Sequence, residues 1–278
     1  MSNRLEHLAQ VGSLEFGMWW LQSGTKLKPE GRRHYGELTH IISSGLGTNL
    51  SEHIRVLDGY DYTSNIHGLE NLRGLANKNI LLLSNHSHLG PLEGFGETLL
   101  ASYYVQETTR KEIRWIRGRG KSLKENARQL ADKSLGTIPV YDKSPESLKA
   151  ILEAFEKKET VGVYPEGNNS IVLREGELTA GNLVLAAIRR NIPIISSSML
   201  FRDDKFFAAF DMPFTEQQLH KIKNIKNQTS EEREDLKRKT IDYVMATIAR
   251  NLPCEKRGHY AGYQEFINAF ESLVTSRT

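Results

Sequence analysis

Asn79-Ile80-Leu81-Leu82-Leu83-Ser84-Asn85-His86-Ser87-His88-Leu89-Gly90-Pro91-Leu92-Glu93 is the stretch on which the fold turns. Four consecutive apolar residues, too few for a helix and with no polar alternation, mark a strand buried on both faces. Two histidines follow almost at once, then a glycine, a proline and a carboxylate. In an α/β sheet, the crevice beyond the carboxyl ends of the strands is where ligands bind, so this turn is placed for chemistry.

Working outward, similar short apolar runs stand at Ile113 to Ile116, Ile138 to Tyr141, Val161 to Tyr164 and Ile192 to Ile195, with a weaker one at Phe206 to Phe210. Segments of helical period separate them. Leu148, Ile151, Leu152 and Phe155 share one face after Ser144 and Pro145, a cap and a first-turn proline. Ile241, Val244, Met245, Ile248 and Leu252 form the stripe of a long amphipathic helix over Ser230 to Asn251. Strands alternating with helices predict an α/β fold, a largely parallel central sheet flanked by helices, with an N-terminal helical extension and C-terminal helices. Residues 1–65 are expected to form the extension and residues 66–278 the α/β domain.

Composition narrows the function classes. The chain has 278 residues, 38% of them apolar and 26% charged, with a net charge of +3. That balance belongs to ordinary globular proteins and is too weak to argue for nucleic acid. Cys254 is the single cysteine, so neither an intrachain disulfide nor a cysteine-built zinc site can form. No window approaches the ~20 apolar residues of a bilayer span, and the start of the sequence lacks the pattern of a secretory signal. A cytoplasmic protein is expected, one that can also lie peripherally on a membrane. Leu14, Phe16, Met18, Trp19, Trp20 and Leu21, beside Lys26 and Lys28, are candidates for a surface anchor or for packing onto the domain.

Two turns carry the candidate chemistry. A histidine deprotonates an alcohol best when a carboxylate fixes its tautomer and stabilises the imidazolium, and His88 and Glu93 are spaced so that a turn entering a helix brings them together. The second turn is Tyr164-Pro165-Glu166-Gly167-Asn168-Asn169-Ser170, whose glycine and asparagines allow a tight path with N–H groups and a hydroxyl open to an anion.

Together, a histidine-x4-acid turn and a Tyr-Pro-Glu-Gly-x-x-Ser turn about eighty residues later resemble the glycerophospholipid and lysophospholipid acyltransferase superfamily. Gly68-Leu69-Glu70-Asn71-Leu72 is similar to the family's lead-in, Gly136-Thr137-Ile138-Pro139-Val140 to its Gly-x-Ile-Pro-Val block, and Ile192-Pro193-Ile194-Ile195 to its last strand. The resemblance covers Ile66 to Phe214. It implies transfer of a fatty acyl group from acyl-CoA or acyl carrier protein to a hydroxyl of a glycerolipid-like or other lipid acceptor, with no metal or organic cofactor. It also implies a histidine base and acceptor binding by Glu166, Gly167, Asn168, Asn169 and Ser170, with Lys143 the nearest basic residue to the third block.

The chain departs from the family pattern in two places. The commonest register makes His86 catalytic and puts Pro91 or Gly90 at the acid position; the other pairs His88 with Glu93 and leaves His86 in support. The second register is preferred because it supplies an oriented partner. Asn169 stands where the family has an arginine, so a bidentate partner for phosphate is missing there. Arg117, Arg119, Lys121 and Lys124 offer positive charge after the second strand. Two other readings fit the same residues: a lipid- or carrier-binding protein without turnover, and a thioester hydrolase, though no Gly-x-Ser-x-Gly elbow is present.

Overall fold

The structure is a computed structural model that describes residues 26–86, 92, 95–118, 134–140, 145–168, 170–225 and 228–276. Seven strands form one sheet: β1 (Ile66–His67), β2 (Leu81–Ser84), β3 (Ile113–Gly118), β4 (Ile138–Val140), β5 (Thr160–Val163), β6 (Ile194–Arg202) and β7 (Lys205–Asp211). Their order is β1-β7-β6-β2-β5-β3-β4. Every described pairing is parallel except β6 with β7. The fold class is therefore α/β, as the alternation of runs predicts.

β2 lies at the centre, between β5 and β6, and its four residues are all buried. The side chains of this run divide between two cores, Leu81 and Leu83 on one face and Leu82, with Ile80 just before the strand, on the other. Burying each such side chain contributes roughly 1.5–3 kcal/mol, which is why an unbroken apolar run is needed here. The Leu81 face is covered by α4 (Pro145–Glu156), α5 (Leu178–Arg189), α7 (Ser230–Arg250) and α8 (Tyr263–Ser276). The Ile80 face is covered by α1 (Pro29–Ser43), a 3₁₀ segment (Leu50–Leu57), α2 (Leu69–Arg73) and α3 (Phe95–Thr109). Leu38, Ile42 and Leu57, from the expected N-terminal extension, are fully buried in the same core as Leu82.

One expectation changes in detail. β6 runs on through Ser196-Ser197-Ser198 to Arg202, well beyond the apolar run that announces it. The hairpin to β7 turns on Asp203 and Asp204, both with positive φ (53° and 57°), the geometry that lets a two-residue loop follow the strand twist. β1, only two residues long, is pinned to β7 by the lead-in that follows it. Asn71 Nδ2 donates to the Phe210 carbonyl at 2.7 Å, and Gly68 (φ +75°) lies so close that a Cβ would stand 2.0 Å from that oxygen.

The remaining helix, α6 (Glu216–Asn224), starts with a reciprocal Thr215–Gln218 capping box. α7 starts with another, Thr229 with Glu232, and its Ile241, Val244, Met245 and Ile248 are fully buried. Among the described residues no helix is long and apolar enough to cross a membrane.

Candidate functional site

β2 and β5 are parallel neighbours, with Leu83 opposite Val163. The chain leaves both at the same edge of the sheet, so the two turns singled out in the sequence emerge side by side.

Their contact is direct. The Ser170 N–H donates to the His86 carbonyl at 3.0 Å, and the His86 N–H donates to Glu166 Oε1 at 3.1 Å. Glu166 Oε2 accepts from the Arg174 N–H at 3.0 Å. The Glu166 side chain thus ties its own turn to two other stretches of backbone, at His86 and at Arg174. It is only 3% exposed, and burial pushes its carboxyl up to about 7, against the smaller opposing pull of the Arg174 and His86 N–H groups and the Arg174 charge. The N–H groups of the second turn are not all open to an anion: Gly167 N–H closes the turn on the Tyr164 carbonyl at 3.0 Å, and that of Ser170 is held by His86.

Asn85 secures the other side. Its amide is buried, with Nδ2 donating to the Met199 carbonyl at 2.8 Å and Oδ1 accepting from the Met199 N–H at 2.6 Å. A side chain here continues the ladder between β2 and β6 after the β2 backbone has turned away. His86 comes next and is half-buried, with Nδ1 inside. Its ring lies on Tyr164, centroids 4.0 Å apart and planes 14° apart.

A small hollow borders these groups, lined by Asn85, His86, Glu166, Ser170, Leu200 and Lys256 among others. Lys256 is a residue that sequence reasoning missed, because no motif surrounds it. It arrives from a 3₁₀ turn at Cys254–Lys256 that is stitched to the segment after Ser170: Leu173 N–H donates to the Lys256 carbonyl at 2.9 Å, and His259 N–H to the Leu173 carbonyl at 3.0 Å. Ile171 and Val172, exposed by 61% and 39%, rim the same hollow.

Of the candidate residues, the structure brings together His86, Glu166 and Ser170, with Gly167 and Asn168 exposed on the connecting turn. His88, Glu93, Asn169 and Lys143 lie outside the described residues, as do Trp19, Trp20, Arg119, Lys121 and Lys124. A larger open pocket of about 750 Å³ stands elsewhere, between α1 and the 3₁₀ segment. Its side chains pair with one another, Arg55 with Asp58 at 3.2 Å and His34 with Asp58 at 3.9 Å, and the two turns do not reach it. Among the described residues no group of three or more His, Cys, Asp or Glu side chains is placed to hold a metal ion.

No family model matches the chain, and no curated protein matches it. Among solved structures, it is similar to the crystal structure of the 1-acyl-sn-glycerophosphate (LPA) acyltransferase PlsC from Thermotoga maritima, at 15% identity and a TM-score of 0.40, over 87% of this chain and 94% of that one.

Proposed function

We propose that this chain is an acyltransferase that moves a fatty acyl group from a thioester, acyl-CoA or acyl carrier protein, to a hydroxyl of a lipid-like acceptor, with His86 as general base. The observation that carries the reading is the pair of hydrogen bonds joining His86 to the Tyr164–Ser170 turn. Two turns far apart in sequence meet at the carboxyl edge of a parallel sheet, which supports reading them as parts of one site.

In this reading Nε2 of His86 takes the acceptor hydroxyl proton as the oxygen attacks the thioester carbonyl. The tetrahedral intermediate collapses, the C–S bond breaks, and the imidazolium returns the proton to the departing thiolate. The thioester carries the activation, so the step needs no metal and no organic cofactor. Gly167, Asn168, Asn169 and Ser170 stay assigned to the acceptor, with Lys143, and Glu166 holds their turn against His86. The acceptor and its donor are met at a membrane surface or on a carrier.

The rival register uses His88 with Glu93. Its advantage on sequence grounds is an oriented imidazole; what supports His86 is that its ring lies against Tyr164. Single variants divide the roles. A positioned base contributes ~10²–10⁴ in rate, so His86→Ala should lower thiol release from acyl-CoA by that factor in the presence of a hydroxyl acceptor, with circular dichroism and melting unchanged. His88→Ala should then be milder. The opposite ranking returns the base to His88 and Glu93. Thiol release independent of any alcohol favours a hydrolase, and binding without release favours a lipid or carrier binder.

A further inference from the structure

Three aromatic rings form one column under the site. His86 lies on Tyr164, and Tyr164 lies on Trp115 with centroids 4.7 Å and planes 13° apart. The rings come from the turn after β2, the end of β5 and the middle of β3, three strands that are adjacent in the sheet. The base of the column is fixed. Trp115 is 3% exposed, its Nε1 donates to Ser102 Oγ at 3.0 Å, and Ser102 Oγ donates to the Thr98 carbonyl at 2.7 Å. Thr98 Oγ1 is also bonded to the Tyr164 hydroxyl at 2.5 Å. One turn of α3 therefore holds the polar edges of both lower rings. Gly162, on β5, makes room for them: a Cβ there would stand 2.7 Å from the Trp115 ring.

We propose that Tyr164 is a positioning residue, the platform that fixes the imidazole plane of His86. The inference deepens the reading of His86 as the base and rests on it for its catalytic meaning. An imidazole turns about χ2 in a broad well, and a general base loses rate when its nitrogen strays from the line of proton transfer. A hydrogen-bonded carboxylate prevents this by gripping Nδ1. A face-to-face ring prevents it by closing off rotation, and asks nothing of either nitrogen. It also answers the charge that appears: the imidazolium formed as the alcohol loses its proton is an electron-poor ring resting on an electron-rich face. Burial pushes the Tyr164 phenol well above its ordinary value, so it stays neutral and adds no competing charge. Among the described residues, the charged side chains near this part of the site are Glu166 and Arg174 beyond β5, Glu97 at the start of α3, and Lys256. Substitution of Tyr164 by Phe or Leu leaves all four in place.

The test compares Tyr164→Phe with Tyr164→Leu in the full chain. By NMR, the His86 ring protons in the unliganded protein should be shifted upfield by the ring current of the platform. Phe should preserve that shift and Leu should abolish it. In acyl-transfer assays with acyl-CoA, Leu should lower kcat by about 10- to 100-fold with KM changed less than about twofold, while Phe stays within about threefold of wild type, because only orientation is disturbed. His86 signals that ignore residue 164, or a folded Leu variant with wild-type kcat, would overturn the proposal. If Tyr164→Leu does not fold, Tyr164→Met, which keeps side-chain bulk but no ring, should likewise abolish the upfield shift, and a shift that persists there counts equally against the proposal. His86→Ala tells the two readings apart: unchanged turnover in that variant removes the base assignment, whereas the ring-current shift still decides whether Tyr164 orients the imidazole.

Discussion

β6 carries buried polar partners at both ends, and the two sets do different things. In its first half, Ser196 and Ser198 face α7. Ser198 Oγ donates to the Ile248 carbonyl at 2.9 Å, and Thr247 Oγ1 donates to the Val244 carbonyl at 2.6 Å and lies 3.3 Å from Ser196 Oγ, whose hydroxyl is free to donate to it. These hydroxyls decorate backbone that already belongs to a helix or a strand. Toward its carboxyl end, Met199 is gripped by Asn85, whose neighbour His86 is in turn gripped by Glu166. There the side chains stand in for backbone partners, because the chain has left the sheet. A hydroxyl on regular structure can be dispensed with. An amide or carboxylate that satisfies irregular backbone cannot, since its loss orphans buried N–H and C=O groups.

The largest contrast should come from Asn85→Ala. It strips both the N–H and the carbonyl of Met199 of their side-chain partner in a buried position. Each orphaned group costs about 1–3 kcal/mol, so a loss of roughly 2–4 kcal/mol in urea unfolding is expected. Asn85→Asp, which can still accept from the Met199 N–H but cannot donate to its carbonyl, should fall between. A loss under about 1 kcal/mol for the alanine variant would mean that the end of β6 holds without this clamp.

Glu166 sharpens the comparison through pH. Its folded carboxyl titrates near 7, against an ordinary value of 4.5. Between those values the folded protein holds the proton more tightly than the unfolded chain does. This group's contribution is therefore most favourable below pH 4.5, and it is lost as pH rises through 7. Each tenfold difference in proton affinity between the folded and unfolded chain is worth about 1.4 kcal/mol, so the loss between pH 5 and pH 7 is on the order of 2 kcal/mol. Glu166→Gln removes the titration, so the difference in stability between wild type and variant should change in that direction across the window. Gln also turns an amide donor toward one of two N–H groups, and it should be the less stable protein at pH 5. A wild-type minus variant difference that stays flat from pH 5 to 7 would show that Glu166 ionises normally.

How much of this is legible in the sequence follows the same division. The apolar runs of β2 and β5 announce their strands because both faces are buried, and the stripe of α7 announces its helix because one face is. β6 shows itself only as far as Ile195, since three serines interrupt its apolar signal. They are tolerated because Ser196 and Ser198 find partners on α7, and a single sequence does not display partners fifty residues away. At the site, His86, Glu166 and Ser170 are visible as motif residues, but the clasp formed by Glu166 is not, because it binds backbone and backbone has no sequence signature. Lys256 is invisible for a related reason: only the stitching of Leu173 to the segment from Lys256 to His259 brings it to the hollow.

The smallest effect tests the dispensable side of the comparison. Ser198→Ala removes a hydroxyl that donates to the Ile248 carbonyl, one of the last four carbonyls of α7, for which the helix supplies no i+4 donor of its own. That oxygen keeps another donor, the Asn251 N–H at 3.2 Å, so the substitution leaves it satisfied and vacates little space. The expected cost is about 0.5–1.5 kcal/mol, the net worth of a single neutral hydrogen bond, with kcat and KM unchanged because the seam lies on the helix side of β6, away from the two turns. Thr247→Val should behave alike and add to it incompletely, since Thr247 and Ser198 meet the same last turn of α7 and coupling between neighbours is the rule. A loss from Ser198→Ala as large as that from Asn85→Ala would erase the distinction between hydroxyls that decorate regular structure and side chains that replace it. A fall in kcat without a fall in stability would instead tie the α7 seam to the geometry of the site.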